Sequence, residues 1–290
     1  MLNLDQNTIT QEALRRLEGC TDVRFKEIMT SLTNHLHDFA REVKLTEDEW
    51  MQGLQFLTAV GQKCDDKRQE FILLSDTLGL SMLVVALNHQ KPAGCTEATV
   101  FGPFHTDKCA DFKNGDDLSM GAAGEPAFIR GTVRGLDGKP VPNALLDVWQ
   151  ADGDGIYDVQ YTDKDNALFA RGRLHADNDG KYWFKSILPE FYSIPVDGPV
   201  GGMMKQAGRH PYRPAHLHFM IQAPGYEKLV THVFRKADQY LESDAVFGVR
   251  SSLISDWVAQ KAGGAPDGST MEKPYYTLDF DFVLNPAKSQ

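Results

Sequence analysis

Two different periodicities meet near residue 100, and no single class of secondary structure accommodates both. Before that point, apolar residues recur three and four apart. Phe25, Ile28, Met29, Leu32, Leu36, Phe39 and Val43 share one helical face. Thr46 and Glu49 form a capping box ahead of Trp50, Leu54 and Leu57, which starts a second helix. A third helix is expected from about Asp66 to Leu87, with Phe71, Leu74, Leu78 and Met82 on one face. Core packing is the ordinary use of such stripes. After Phe101-Gly-Pro the helical period stops. Short runs rich in β-branched and aromatic residues follow: Ala127 to Arg134, Leu145 to Gln150, Leu174 to Phe184, His216 to Ile221, Leu229 to Phe234 and Tyr276 to Leu284. Asp137-Gly138, Asp179-Gly180 and Pro224-Gly225 punctuate them as turns. With no helical pattern between the strands, an antiparallel-rich sandwich or barrel is expected rather than a βαβ fold. Phe191 to Pro214, rich in proline and glycine, is expected to be a long functional loop inside this domain.

Composition narrows the function. The chain has 290 residues and a formal net charge of −10, with 42% hydrophobic and 24% charged residues. Those proportions are globular. The acidic balance repels phosphate backbones and anionic membranes, so neither nucleic acid nor a lipid surface is the expected partner. Leu78 to Leu87 is the longest apolar stretch and is too short to span a bilayer. The start, MLNLDQN, has no signal-peptide pattern, and the four cysteines form no CxxC pair. A soluble cytoplasmic protein with reduced thiols is expected.

His216-Leu-His218-Phe is the sharpest local signal for chemistry. On a strand, residues i and i+2 share a face, so both imidazoles can converge on one metal. A lone HxH is weak evidence, and further ligands are needed. Asp147 to Tyr157 first looks like a calcium loop. Aligning Gly155 with the invariant glycine of such loops, however, puts Gln150 first and Tyr161 twelfth, where glutamate is required. Asp177-Asn-Asp-Gly180 fails the same test and reads as a turn.

Three motifs taken together carry more. Asp147-Val-Trp-Gln-Ala-Asp-x-x-Gly-x-Tyr157, Leu188-Pro-x-x-Tyr192 and Arg213-Pro-Ala-His216-Leu-His218-Phe, in this order and spacing, resemble the intradiol ring-cleaving dioxygenases. The helical segment ending in Thr99-Val-Phe-Gly-Pro-Phe104 is similar to the amino-terminal part of the catechol and hydroxyquinol 1,2-dioxygenase branch. The resemblance implies a mainly β fold, with a helical dimerisation region over residues 1–105 and a β-sandwich catalytic domain over residues 106–290. It implies one Fe(3+) per chain, held by Tyr157, Tyr192, His216 and His218. Tyr192 would be the ligand that departs, with His218 opposite it. A homodimer burying the helical region is implied as well, with a lipid-like molecule between the chains.

The residue chemistry agrees. Free tyrosine has a pKa of about 10, so only a strongly Lewis-acidic ion holds two phenolates at neutral pH. Hard trivalent iron suits oxygen ligands plus imidazoles, whereas zinc favours thiolates or more histidines. A ferric ion with two phenolates and a hydroxide is neutral. It stays neutral when a catechol dianion displaces the hydroxide and one tyrosinate, and the two departing groups serve as the bases that take the substrate protons. Arg213 is a candidate for stabilising charge on the ring as O2 attacks. His232, also assigned to the catalytic group, stands where catechol-cleaving members usually carry glutamine. The resemblance implies a substrate wall of Val100, Phe101, Gly102, Pro103 and Phe104 on one side and Ile194, Pro195 and Val246 on the other, with Leu73, Asp76 and Arg213 also contacting the substrate. Asp76 interrupts an apolar run, and by the resemblance it accepts a hydrogen bond from the third hydroxyl of hydroxyquinol. Hydroxyquinol is therefore the leading substrate, with catechol the alternative. A non-catalytic β-sandwich binding module with a helical arm is the reading from another class, and it would be colourless.

Overall fold

The computed structural model describes residues 3–66, 68–161 and 168–287. The chain forms two compact units, one ending at Ala59 and the other beginning at Val60. Helices α1 (Ile9–Arg15), α2 (Val23–Glu42) and α3 (Glu47–Gln62) come first. Asp22 caps α2 by accepting from the Phe25 amide at 2.9 Å. The capping box before α3 forms as expected: Thr46 N donates to Glu49 Oε2 at 2.9 Å, and Glu49 N to Thr46 Oγ1 at 3.3 Å. The α2 stripe departs from expectation. No α2 residue is buried, and Phe25, Leu36 and Phe39 are each more than half exposed. The periodicity correctly marks a helix, but the apolar face is not core within one chain.

The expected helix from Asp66 to Leu87 is two helices, α4 (Glu70–Thr77) and α5 (Leu80–Asn88), bent by 78°. Gly79 sits between them at φ +78°, a conformation that glycine adopts without a Cβ penalty. The burial of α4 is inverted. Glu70, Asp76 and Thr77 are buried, while Phe71, Ile72 and Leu78 are exposed. No single helix among the described residues is long and apolar enough to cross a membrane.

The remaining chain supplies β1 (Pro126–Gly135), β2 (Leu145–Trp149), β3 (Arg171–His175), β4 (Lys181–Ile187), β5 (Tyr192–Ser193), helix α6 (Pro199–Gln206), β6 (Tyr212–Arg213), β7 (His216–Gln222) and β8 (Leu229–Arg235). Six short strands complete it: β9 (Ile254–Ser255), β10 (Val258–Gln260), β11 (Gly263–Gly264), β12 (Thr270–Met271), β13 (Tyr275–Asp279) and β14 (Phe282–Leu284). One sheet runs β10-β13-β1-β14 with β4 also on β1, and the other runs β3-β2-β7-β8-β9. Both are mixed: β1 pairs in parallel with β13 and β14, and β8 with β9. Ile129, Val133, Tyr182, Phe184 and Phe282 from the first sheet meet Leu146, Val148, Leu217, Phe219 and Val233 from the second in one buried cluster. This is a sandwich core. The run expected from Tyr276 to Leu284 is broken at Phe280, whose carbonyl accepts from Tyr182 Oη at 2.7 Å. A Cβ on Gly131 would lie 1.7 Å from that oxygen, so the close approach requires glycine.

Strand β7 is buried from His216 to Ile221 without alternation. Leu217, Phe219 and Ile221 enter the sandwich core, so His216, His218 and Met220 occupy the opposite face, where a second buried cluster lies. The expected loop from Phe191 to Pro214 is more structured than its composition suggests. It contains α6 and is closed at its base by β5 and β6, which pair Tyr192 with Arg213.

Candidate metal centre and substrate pocket

Local turns bring Tyr157 to the histidine face. Asp152 Oδ1 accepts from the amides of Asp154 and Ile156, both at 3.0 Å, which folds the Asp-Gly-Asp-Gly segment into a tight turn. Gly155 has φ +77°, and a Cβ there would approach the Phe191 carbonyl oxygen at 2.9 Å and Tyr192 Cβ at 3.0 Å. Glycine therefore lets the Tyr157 turn lie against the Tyr192 segment. The Gln160 side chain accepts from the Tyr157 amide at 2.9 Å. Asp158, the next residue, is buried and paired with Arg171, which also donates to the Phe104 carbonyl at 3.0 Å. Phe104 in turn stacks on Tyr157, with ring centroids 4.4 Å apart.

Tyr157 Oη lies 2.9 Å from His218 Nε2 and 3.5 Å from His216 Nε2, and the two imidazole nitrogens are 3.0 Å apart. Tyr192 Oη and His216 Nε2 each lie 3.3 Å from Arg213 Nη1. All five side chains are buried. His216 Nδ1 faces the Pro214 carbonyl at 2.7 Å, which makes Nδ1 the donor and turns the Nε2 lone pair inward. The Trp149 ring lies 4.6 Å from His218 and only 18° from parallel, holding that imidazole in place.

Burial keeps these groups uncharged, the phenol unless a cation lies beside it. Burial, followed by the neighbouring Arg213 charge, depresses His216 to about 3, so it is a neutral ligand at ordinary pH. Burial, then Tyr192, raises the Tyr157 phenol well above its ordinary value. A phenolate there needs strong positive charge beside it. Ligand atoms about 2 Å from a common ion lie roughly 3 Å from one another, which is the spacing of Tyr157, His216 and His218. Two phenolates and two neutral imidazoles form a donor set, half of it hard and anionic, that fits ferric iron.

His232 sits opposite His218 in the β7–β8 ladder. One of its nitrogens falls within 4.8 Å of one nitrogen each of His216 and His218, which raises a three-histidine site. Ring orientation argues against it. His232 stacks on His216 at 4.6 Å with planes 23° apart, so their in-plane lone pairs run side by side instead of meeting at one ion. Neither His232 nitrogen has a hydrogen-bond partner among the described residues, although the Val100 backbone lies close enough to act on it.

Several residues of the expected wall lie beside the two tyrosines. Val100, Ile194 and Val246 are buried in one cluster with Tyr157 and Tyr192, and Leu73 and Phe104 pack against it. Gly102 has φ +78°, and its missing Cβ would touch His218 Cε1 at 3.2 Å. Phe101 packs edge-on to Trp149, while Pro103 is exposed and Pro195 half-buried. Asp76 is buried, hydrogen-bonded to Ser81 and within electrostatic range of Arg213. Trp149 lies within the quoted motif without a role of its own, and Asp158, Arg171 and Asp244 carry no local signal that sets them apart from other charged residues.

Family models match on both sides of residue 100. One described as catechol dioxygenase N terminus covers residues 22–96, and one described as dioxygenase covers residues 100–286. The chain belongs to the intradiol ring-cleaving dioxygenase family. This intradiol dioxygenase is 58% identical to 6-chlorohydroxyquinol 1,2-dioxygenase from Cupriavidus pinatubonensis, over 99% of both chains. It is 48% identical to hydroxyquinol 1,2-dioxygenase from Nocardioides simplex, over 97% of this chain and 96% of the relative. The solved structure of hydroxyquinol 1,2-dioxygenase from Pseudomonas putida superposes with a TM-score of 0.91 at 49% identity, covering 97% of this chain and 99% of the other.

Proposed function

We propose that this dioxygenase cleaves hydroxyquinol, 1,2,4-trihydroxybenzene, between its adjacent hydroxylated carbons with O2, giving 3-hydroxy-cis,cis-muconate (maleylacetate). The reading is carried by Tyr157 Oη meeting the Nε2 atoms of His216 and His218, with Tyr192 beside Tyr157 in the same buried cluster. Fe(3+), one per chain, would be held by those four residues. When bound, it supplies the Lewis acidity that ionises the substrate hydroxyls and opens the ring to O2.

The chain's own groups do the rest. Tyr157 and His216 stay in place, fixed by the Asp152 turn and the Pro214 carbonyl respectively. Tyr192, ionised when the ion is bound, would take a substrate proton at Oη. Arg213, whose Nη1 faces Tyr192 and His216, steadies negative charge as the ring reacts. His232, packed on both histidines, holds their rings and supports the Val100 side of the pocket. Asp76 accepts from the third hydroxyl, with Leu73, Val100, Phe101, Gly102, Pro103, Phe104, Ile194, Pro195 and Val246 enclosing the ring.

Catechol is the alternative substrate, and the name of the 58% identical relative adds ring-chlorinated hydroxyquinol to the comparison. Oxygen uptake with hydroxyquinol, 6-chlorohydroxyquinol and catechol is the test. A triol should turn over fastest, and a clear preference for catechol would replace the substrate while leaving the metal site intact. With labelled O2, both atoms should enter the product. Both arriving from solvent would eliminate dioxygenase chemistry.

We also infer a homodimer built on the helices of residues 1–105, with residues 106–290 as the catalytic sandwich. Support comes from the exposed apolar faces of α2 and α4, including Phe25, Leu36, Phe39 and Phe71. Interfaces of this kind are core-like. A lipid-like molecule would occupy apolar space between the paired helices. A cytoplasmic location fits four free cysteines.

A further inference from the structure

We propose that Asp244 is a positioning residue that aims Arg213 at the two ligands it faces, and that it ties this aim to the Val246 wall of the pocket. The inference rests on the role given to Arg213 above. A guanidinium carries five N–H donors: one on Nε and two on each Nη. Arg213 Nε donates to Asp244 Oδ1 at 3.1 Å, and Nη2 to Asp244 Oδ2 at 3.3 Å, a two-pronged contact along one side of the fork. Because the guanidinium is planar, fixing that side fixes the third nitrogen. Nη1 is left with two N–H groups and two neighbours, Tyr192 Oη and His216 Nε2, each at 3.3 Å.

The same carboxylate organises the chain that follows it. Asp244 Oδ1 also accepts from the Val246 amide at 3.3 Å, and Oδ2 from the Gly248 amide at 2.9 Å. The turn so formed holds Phe247 at φ +60° and presents Val246 to the site cluster. Gly248 closes it: a Cβ there would lie 2.9 Å from Arg213 Nη2 and 3.2 Å from Asp244 Oδ2. Asp244 and Arg213 are both almost fully buried, so neither charge has water as a substitute partner. A cation held by an aspartate can press on Tyr192 without wandering toward the pocket. An Arg213 lacking Asp244 would be a buried charge free to re-pair with Asp76, which already lies within its electrostatic range.

A double-mutant cycle separates this from a general packing role. Arg213→Lys should lower kcat by about 10- to 100-fold, with KM moving less. Asp244→Asn, which keeps shape but removes the charge and one prong, should lower kcat by about 10-fold. In the Arg213→Lys background, Asp244→Asn should add no more than about a further 2-fold. Effects that multiply fully would overturn the proposal. No loss in Arg213→Lys would instead remove the underlying reading of Arg213.

Two further measurements guard the result. In the iron-free protein, the Arg213 Nε–H, assigned by its loss in Arg213→Lys, should exchange with solvent at least about 10-fold faster in Asp244→Asn, because the buried acceptor has weakened. Unchanged protection would sink the idea without any reference to turnover. Thr99→Val removes the 2.6 Å bond from Thr99 Oγ1 to the Gly248 carbonyl and so loosens the same turn without touching Arg213. It should leave that exchange rate unchanged, and acceleration equal to that of Asp244→Asn would make the effect one of loop packing. Gly248→Ala, which pushes Nη2 aside with every charge retained, should lower kcat as Asp244→Asn does if the latter folds poorly.

Discussion

Tyr157 Oη and His218 Nε2 are 2.9 Å apart, although the residues are separated by 61 positions and belong to different elements. Neither group is ionised comfortably in that place: burial pushes the phenol up and the imidazole well down. A bound trivalent ion reverses the cost for the phenol and leaves the imidazole as a neutral ligand. Tyr157→Phe and His216→Ala should therefore each lose iron and the colour of the ferric–tyrosinate pair, measured by metal analysis and visible absorption. His232→Gln should keep about one iron per chain, because His232 stacks on His216 and is not among the four residues proposed to hold the ion. Loss of iron in His232→Gln would restore the three-histidine site.

Asp76 should govern the choice between triol and diol. A buried acceptor left unpaired by catechol costs about 1–3 kcal/mol, roughly 5- to 150-fold in relative specificity. Asp76→Leu should narrow the preference for hydroxyquinol by an amount in that range, measured as the ratio of kcat/KM for the two substrates. An unchanged ratio would remove Asp76 from substrate recognition.

The same residue gives a pH signature. Burial raises the Asp76 carboxyl above its usual 3.8, opposed by the Ser81 hydrogen bond and the Arg213 charge. Between 3.8 and that raised value the folded chain keeps a proton that the unfolded chain has lost. The contribution to stability is thus fully present below 3.8 and is lost as pH rises through the folded pKa. Asp76→Asn, which never ionises, should raise Tm above that window and leave it little changed at lower pH. A Tm difference with the opposite pH trend would contradict the assignment.

Two glycines should respond oppositely to alanine. At Gly131 the added methyl meets the Phe280 carbonyl at 1.7 Å, and backbone must move, so Gly131→Ala should cost about 3 kcal/mol or more. Gly202 lies inside α6 with nothing within 4 Å of its Cβ position, and alanine there should stabilise by about 0.5–1 kcal/mol. Denaturant unfolding measures both.

A charge on the exposed helical stripe should break self-association. Leu36→Glu and Phe39→Glu change side chains that are each more than half exposed, so they should spare the fold of one chain. Sedimentation should show the parent as a dimer and the variants as monomers at micromolar concentration. A parent that sediments as a monomer at every concentration would refute the pairing.

Much of the candidate site was legible because it follows short-range rules. The period-2 geometry of a strand puts His216 and His218 on one face, and β7 turns Leu217, Phe219 and Ile221 to the other although both faces are buried. The capping box at Thr46 and Glu49 needs only four residues, and it forms. The motif order placed Tyr157, Tyr192 and Arg213 beside those histidines, and the fold brings all five together. The Asp66 to Leu87 stretch was harder. Its apolar residues keep helical spacing across Gly79, so the 78° bend leaves little trace in the pattern.

The chain's own sequence determined helix before residue 100, mostly strand after it (α6 apart), and the pair of imidazoles, because each depends on periodicity or on neighbours a few residues away. Tertiary structure decided which apolar faces are core. The spacing of Phe25, Leu32 and Leu36 is the same whether the face is buried or left at the surface, and here it lies at the surface. It likewise decided that α4 turns Asp76 inward and Phe71 outward, against the usual solvation of each. Asp244 became visible only when Arg213, 31 residues earlier, was placed against it. Charge pairing across that distance is set by the path of the backbone, and no local pattern in the sequence encodes it.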